Sequence, residues 1–253
     1  MEWPFFLIGF ATGIIGTIVG AGGGFLVMPI LLLLYQVEPI YAAGTSLFMV
    51  VLNGLAGTVS YLRRGKVDIK NGLQFTSIAF IGVLLGIYFT LLIDPHTFRV
   101  LFGVLVIGLA CWMIIRQPMD GCAEASFSFG WQELSVARRV GAFVLLIAIG
   151  VISSLTGIGG GPFLVPFLVY LLGYPLKLGV ATSQFVVTCL ALLSFAFYAS
   201  HGFVVWPEGI GLGIGAIVGA PLGVYMSRLI SSRHLVYLLS SLLFLTGFRL
   251  FYQ

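Results

Sequence analysis

Charge is what this chain has least of. Only 8% of its 253 residues are charged, against about 25% in a soluble domain. That scarcity excludes a water-exposed globule. The eight acids, Glu2, Glu38, Asp68, Asp94, Asp120, Glu124, Glu133 and Glu208, fall at the ends of apolar stretches or between them. With no carboxylate in mid-stretch, a buried proton relay or cation site has no evident residue. His96, His201 and His234 also lie near stretch ends. Cysteine is nearly absent: Cys111, Cys122 and Cys189 are far apart and form no CxxC, so neither a disulfide framework nor a zinc site is indicated. No Ser-His-Asp set, metal-ligand spacing or Walker loop occurs. Enzyme chemistry is therefore not expected, and no cofactor or metal is implied. The net charge of +4 would suggest nucleic acid in a soluble protein, but here the bases occupy short loops, where they set topology. No nucleic-acid partner is expected.

What the chain has is apolar length. It is 60% hydrophobic with a mean hydropathy of +1.14. Apolar stretches run near residues 4–34, 40–62, 71–93, 97–115, 140–172, 178–200, 208–230 and 234–252, and a helical span needs about 20 such residues. The expected class is an all-α, multi-pass integral membrane protein with lipid around most of it. Nothing in the composition excludes a homo-oligomer. The opening MEWPFFLIGF lacks a basic n-region and a cleavage pattern, so it does not read as a signal peptide.

The eight stretches are two sets of four. Residues 9–116 laid on 146–253, an offset of 137, give 28 identities in 108 positions without a gap. Gly20, Gly22, Gly23, Gly24 and Pro29 fall on Gly157, Gly159, Gly160, Gly161 and Pro166. Thr45 and Ser46 fall on Thr182 and Ser183, and Tyr61, Gly65 and Gly72 on Tyr198, Gly202 and Gly209. Apolar composition alone would scatter Leu and Val matches, not align glycines and prolines. The expected organisation is a first transmembrane repeat over 1–116, a cytoplasmic linker over 117–138 and a second repeat over 139–253. Repeats of this kind are common in transporters, which place substrate between the halves.

Loop charge indicates that the halves are inverted. YLRRGKVDIK holds Arg63, Arg64, Lys66 and Lys70, whereas its counterpart ASHGFVVWPE holds no Lys or Arg. The next pair reverses the bias, with Arg228 and Arg233 in the second half against Arg99 alone in the first. Inversion needs an odd number of crossings per half. Four stretches satisfy it if the first of each half is a helical hairpin broken at its glycines. Arms of about 10–15 residues, at about 1.5 Å each, would carry a tip toward the middle of a core about 30 Å thick. Eight ordinary spans in parallel repeats are the rival arrangement.

The glycine runs, GAGGG at 20–24 and GIGGG at 157–161, cannot continue a helix cheaply, since each Gly costs about 1 kcal/mol against Ala. Non-helical backbone at membrane depth must line a cavity or be buried in protein. Its N–H groups, with those of the helix that follows, suit an anion. Pro29 and Pro166 should keep that helix short or kinked. Small residues also permit tight helix packing, and that is the reading for the series Gly211, Gly215, Gly219 and Gly223. The candidate substrate-binding residues are Gly20, Gly22, Gly23, Gly24, Thr45, Ser46, Gly157, Gly159, Gly160, Gly161, Thr182, Ser183 and Gln184. Hydroxyls and an amide donate hydrogen bonds to an anion without fixed charge. Ser153, Ser154 and Thr156 lead into the second glycine run, and Asn53 lies mid-span. Gln184 falls opposite Leu47, so the two halves of the site need not be equivalent.

The paired G-x-G-G-G-x-x-x-x-P motifs, the A-x-T-S and A-T-S-Q stretches and the Y-x-x-x-G-x-V segments at Tyr61–Val67 and Tyr198–Val204 resemble the TauE/SafE sulfite exporter family over essentially the whole chain. The resemblance implies a prokaryotic inner-membrane protein that moves sulfite or a small organosulfonate, usually outward. An anion channel of the same build is one alternative. Another is an importer of a reduced sulfur compound such as thiosulfate, in which Cys122 could take part. Energetics favour exit: an inside-negative potential of about 100 mV acts with about 2.3 kcal/mol on each negative charge leaving.

Overall fold

The computed structural model describes residues 3–92 and 135–227 continuously, with scattered positions between 94 and 130 and at 241. The fourth and eighth apolar stretches, the linker and Cys122 lie largely or wholly outside the described residues. Every described element is helical: α1 (Trp3–Val19), α2 (Gly24–Leu33), α3 (Pro39–Leu62), α4 (Ile69–Thr90), α5 (Val136–Thr156), α6 (Gly161–Pro166), α7 (Leu176–Ser200) and α8 (Trp206–Met226). Helix α6 runs directly into a π turn, Phe167–Leu171. Local chemistry starts several helices. Pro39 opens α3, the Asp68 carboxylate accepts the Asn71 N–H at the head of α4, and Ser135 caps α5.

Each half begins with a hairpin turned at its glycines. The chain leaves α1 at Val19, passes Gly20, Gly22 and Gly23 at φ of +75°, +74° and +83°, and returns as α2. Gly157, Gly159 and Gly160 repeat the pattern at +71°, +84° and +76°. A side chain is strained in this left-handed region. Pro29 lies inside the 10-residue α2. Pro166 ends the 6-residue α6, where the backbone loosens into the π turn. The arms are less even than the sequence suggests. Helix α1 has 17 residues, but α5 has 21 and is one of five described helices long and apolar enough to cross a membrane, with α3, α4, α7 and α8. The extra turn, Val136–Arg139, is polar and held by the Ser135 cap, and it carries helix across the expected boundary at 139.

Contacts between the halves are reciprocal at the offset of 137. Gly24 packs on Ile158 and Gly161 on Ala21; Gly20 packs on Val180 and Gly157 on Ala43. Gly82 meets Ile147 and Gly219 meets Phe10; Gly86 meets Val151 and Gly223 meets Ile14. The Tyr61 hydroxyl donates to the Thr17 carbonyl at 3.0 Å, and that of Tyr198 to the Ser154 carbonyl at 2.9 Å. A rotation of order two exchanges each member of these pairs. Helix direction follows from the same contacts. Helices α3 and α7 run antiparallel, with Gly44 against Tyr198, Val50 and Val187 together at Gly22, and Gly57 against Gln184. Helices α1 and α8 run parallel, from Gly9–Leu212 through Gly13–Ala216 to Gly223–Thr17. Gly215, Gly219 and Gly223 lie directly on α1 backbone, the close approach that small residues allow between helices in lipid.

Candidate functional site

Both hairpin tips end at one place. A Cβ built on Gly22 would sit 2.8 Å from Val50 Cγ1 and 3.0 Å from Val187 Cγ1; one built on Gly159 would sit 2.9 Å and 3.0 Å from the same two atoms. Val50 and Val187 are fully buried and stand near the middles of α3 and α7. All eight glycines of the candidate set are buried. The tips therefore meet halfway along the flanking helices, with no room for a side chain on either.

The turn is made at a cost in backbone hydrogen bonds. Ala21 and Gly22 both donate to the Gly16 carbonyl, and Gly20 donates to Thr17. Among the described residues no backbone acceptor meets the N–H groups of Gly23, Gly24 and Phe25, nor those of the whole second turn, Gly157, Ile158, Gly159, Gly160 and Gly161. Buried donors without partners are rare in folded proteins, and each leaves a desolvation cost of about 1–3 kcal/mol. Three fully buried side chains share this condition, Gln184, Ser153 and Ser194. Gln184 is fully buried, and neither its amide nitrogen nor its oxygen has a partner. The fully buried Ser153 hydroxyl has none either, and it lies 3.4 Å from a Cβ built on Gly160. The unmet groups at the tips are mainly donors, the unpartnered Glu208 Oε2 lying instead at the head of α8, and that set suits an anion.

The four candidate hydroxyls are committed to other work. Thr45 donates to the Tyr41 carbonyl and accepts the Val205 N–H at 2.9 Å, fixing the head of α8. Thr182 accepts the Asp68 N–H at 3.2 Å, its reciprocal at the head of α4. Ser183 donates to the Gly20 carbonyl at 2.8 Å and Ser46 to the Gly24 carbonyl at 3.4 Å. The serines brace the glycine turns, while the threonines tie loops. Of the five polar side chains in the candidate set, only Gln184 has no hydrogen-bond partner at all.

Sequence reasoning missed the cluster around Gln184. The Thr17 hydroxyl donates to Asn53 Oδ1 at 3.1 Å, and Asn53 Nδ2 donates to the Gly22 carbonyl at 3.0 Å. Thr58 and Thr188 hydroxyls share a hydrogen bond at 3.1 Å. Gly57 leaves space beside both Thr17 and Gln184. The counterparts of Asn53, Thr58, Gln184 and Thr188 at the 137 offset are Leu190, Phe195, Leu47 and Val51. A polar residue opposite an apolar counterpart was the available signal, and only Gln184 was singled out by it. The outcome is a polar cluster on one side of a tip-to-tip contact that is otherwise symmetric.

Comparison with known proteins matches this chain to a transporter family. The family model described as sulfite exporter TauE/SafE matches residues 5–250. The chain is 30% identical to the probable membrane transporter protein YunE of Bacillus subtilis, covering 98% of this chain and 96% of that protein. It is 30% identical to YdhB of the same organism, also a probable membrane transporter protein, over 95% and 94%. A probable membrane transporter protein of the archaeon Methanocaldococcus jannaschii is 29% identical over 95% and 92%. No solved structure matches.

Proposed function

Because this chain belongs to the sulfite exporter TauE/SafE family and is a multi-pass membrane transporter, we propose that it exports a small sulfur-containing anion. The substrate is sulfite or an organosulfonate, held between the two glycine tips and exposed to each side in turn. One observation carries the reading: the buried tips present a set of N–H groups without backbone acceptors, beside the unpartnered Ser153 and Gln184 side chains. Sulfite and sulfonates carry three acceptor oxygens on one sulfur and can take several such donors at once. Closure of Gly22 and Gly159 on Val50 and Val187 corresponds to a shut intermediate between the two open forms.

Two observations support opposite orientation of the halves in the membrane. The counterpart helices α3 and α7 are antiparallel, and basic residues crowd the α3–α4 loop but are absent from the α7–α8 loop. With basic loops inside, the α3–α4 loop is cytoplasmic. The test is counterflow of labelled sulfite, taurine and sulfoacetate in proteoliposomes, with and without an imposed potential. Saturable counterflow of one of them that responds to potential is expected. Flux without saturation or counterflow would indicate a channel and overturn the carrier reading.

A further inference from the structure

We propose that Arg64, Lys66 and Lys177 form an oxyanion-capture cavity on the face carrying the α3–α4 loop, from which the tip site is loaded; this rests on the transport reading above. The three cations come from two separate segments, the α3–α4 loop and the start of α7, and converge on one cavity of about 40 Å³. About 10–15 Å³ on this measure holds a water, so a four-atom oxyanion fits. Among the described residues no acid lines the cavity, and Arg64 is held there by one guanidinium N–H donated to the Val224 carbonyl at 2.8 Å. Asp68, close by in sequence, is occupied elsewhere: its carboxylate accepts from Asn71 N, Asn71 Nδ2 and the Tyr174 hydroxyl at 3.1, 2.7 and 2.9 Å.

The cavity wall is in contact with the site. It includes Tyr61 and Val180. Val180 packs against Gly20 of the first tip. The Tyr61 hydroxyl donates to the Thr17 carbonyl, the Thr17 hydroxyl to Asn53, and the Asn53 amide to the Gly22 carbonyl. A run of hydrogen bonds thus joins the cavity wall to the tip. The second half lacks these cations at the matching positions. The counterparts of Arg64, Lys66 and Lys177 at the 137 offset are His201, Phe203 and Ile40, and His201 is stacked on Phe203. Capture is therefore one-sided. An anion is drawn from the basic face and leaves through one without these cations, the order that export requires.

The shared chemistry is an oxyanion, which a phospholipid headgroup also carries, and the test separates the two. Full-length protein is placed in phosphatidylcholine vesicles, with half-saturation for labelled sulfite and sulfoacetate measured separately at each face. Each of Arg64→Gln, Lys66→Gln and Lys177→Gln is expected to raise half-saturation at the basic face about threefold, the worth of one partly screened charge. Maximal rate and the opposite face should be unchanged. Lys66→Arg and Lys177→Arg should restore the wild-type value, and Lys70→Gln, an exposed lysine outside the cavity, should not alter it. Unchanged half-saturation in all three Gln variants, or an equal rise with Lys70→Gln, overturns the proposal. So does an effect seen only when phosphatidylglycerol is present, which assigns the cavity to lipid. Equilibrium dialysis of the solubilised protein with the same anions is the second arm. Loss of binding in the triple Gln variant upholds the cavity even if wild type moves neither anion, whereas binding equal to wild type overturns it.

Discussion

The contact of two glycines with one pair of valines gives a test that a single substitution could not. Alanine at position 22 or 159 carries two penalties. It must occupy a φ of +74° or +84°, at about 1–2 kcal/mol for a residue with a Cβ. Its methyl must also displace Val50 Cγ1, 2.8 or 2.9 Å away, at about 1–3 kcal/mol for overpacking a tight core. Each variant should therefore lose about 2–5 kcal/mol, and the two losses should agree within about 1 kcal/mol because the surroundings are reciprocal. Val50→Ala removes the steric part alone. In double-mutant cycles it should recover about 1–3 kcal/mol with Gly22→Ala and the same with Gly159→Ala, leaving the backbone part in place. The assay is unfolding of the solubilised protein by sodium dodecyl sulfate, followed by circular dichroism. Rescue of only one glycine by Val50→Ala would refute the tip-to-tip contact, as would additivity in both cycles.

Two further outcomes bear on the site and on its cytoplasmic edge. Gln184→Leu replaces an unpartnered buried amide with the residue found at its counterpart, Leu47. Stability should hold or rise by about 1–3 kcal/mol while counterflow falls at least tenfold, by about 1.4 kcal/mol or more of lost substrate stabilisation; lost stability with intact counterflow would show that the amide serves only the fold. Tyr174, in the loop before α7, has its hydroxyl pushed well above the ordinary tyrosine value of 10.0, first by burial and then by the Asp68 charge it faces. The folded state thus holds the proton more tightly than the unfolded one, so stability is full below pH 10.0 and declines as pH rises past it. Thermal unfolding at pH 8 and pH 11 should show this decline in wild type and a smaller one in Tyr174→Phe.

The hairpins, the repeat and the meeting of the tips were legible for one reason. A backbone that must pass close to another leaves only glycine, and glycines survive in register where Leu and Val interchange. The first turn of α5 was not legible in that way, because it depends on the Ser135 cap. Hydroxyl chemistry was legible in kind but not in direction. The partner of Thr45 is 160 residues away and that of Thr182 is 114 away, so spacing could not reveal that both oxygens were already committed to loops. Charge was read for topology, which hid the convergence of Arg64, Lys66 and Lys177 from separate segments. These misses have a common form. Beyond the reciprocal threonines, the departures from the repeat carry them: Asn53 against Leu190 and Arg64 against His201, as Gln184 against Leu47 had already signalled. Close packing about a twofold axis has to satisfy both halves and so holds them alike. A substrate moving one way meets the halves in sequence, and chemistry that favours one direction has to break the likeness. In a chain of this kind the matched positions report the fold, and the mismatched polar ones are where the function should be sought.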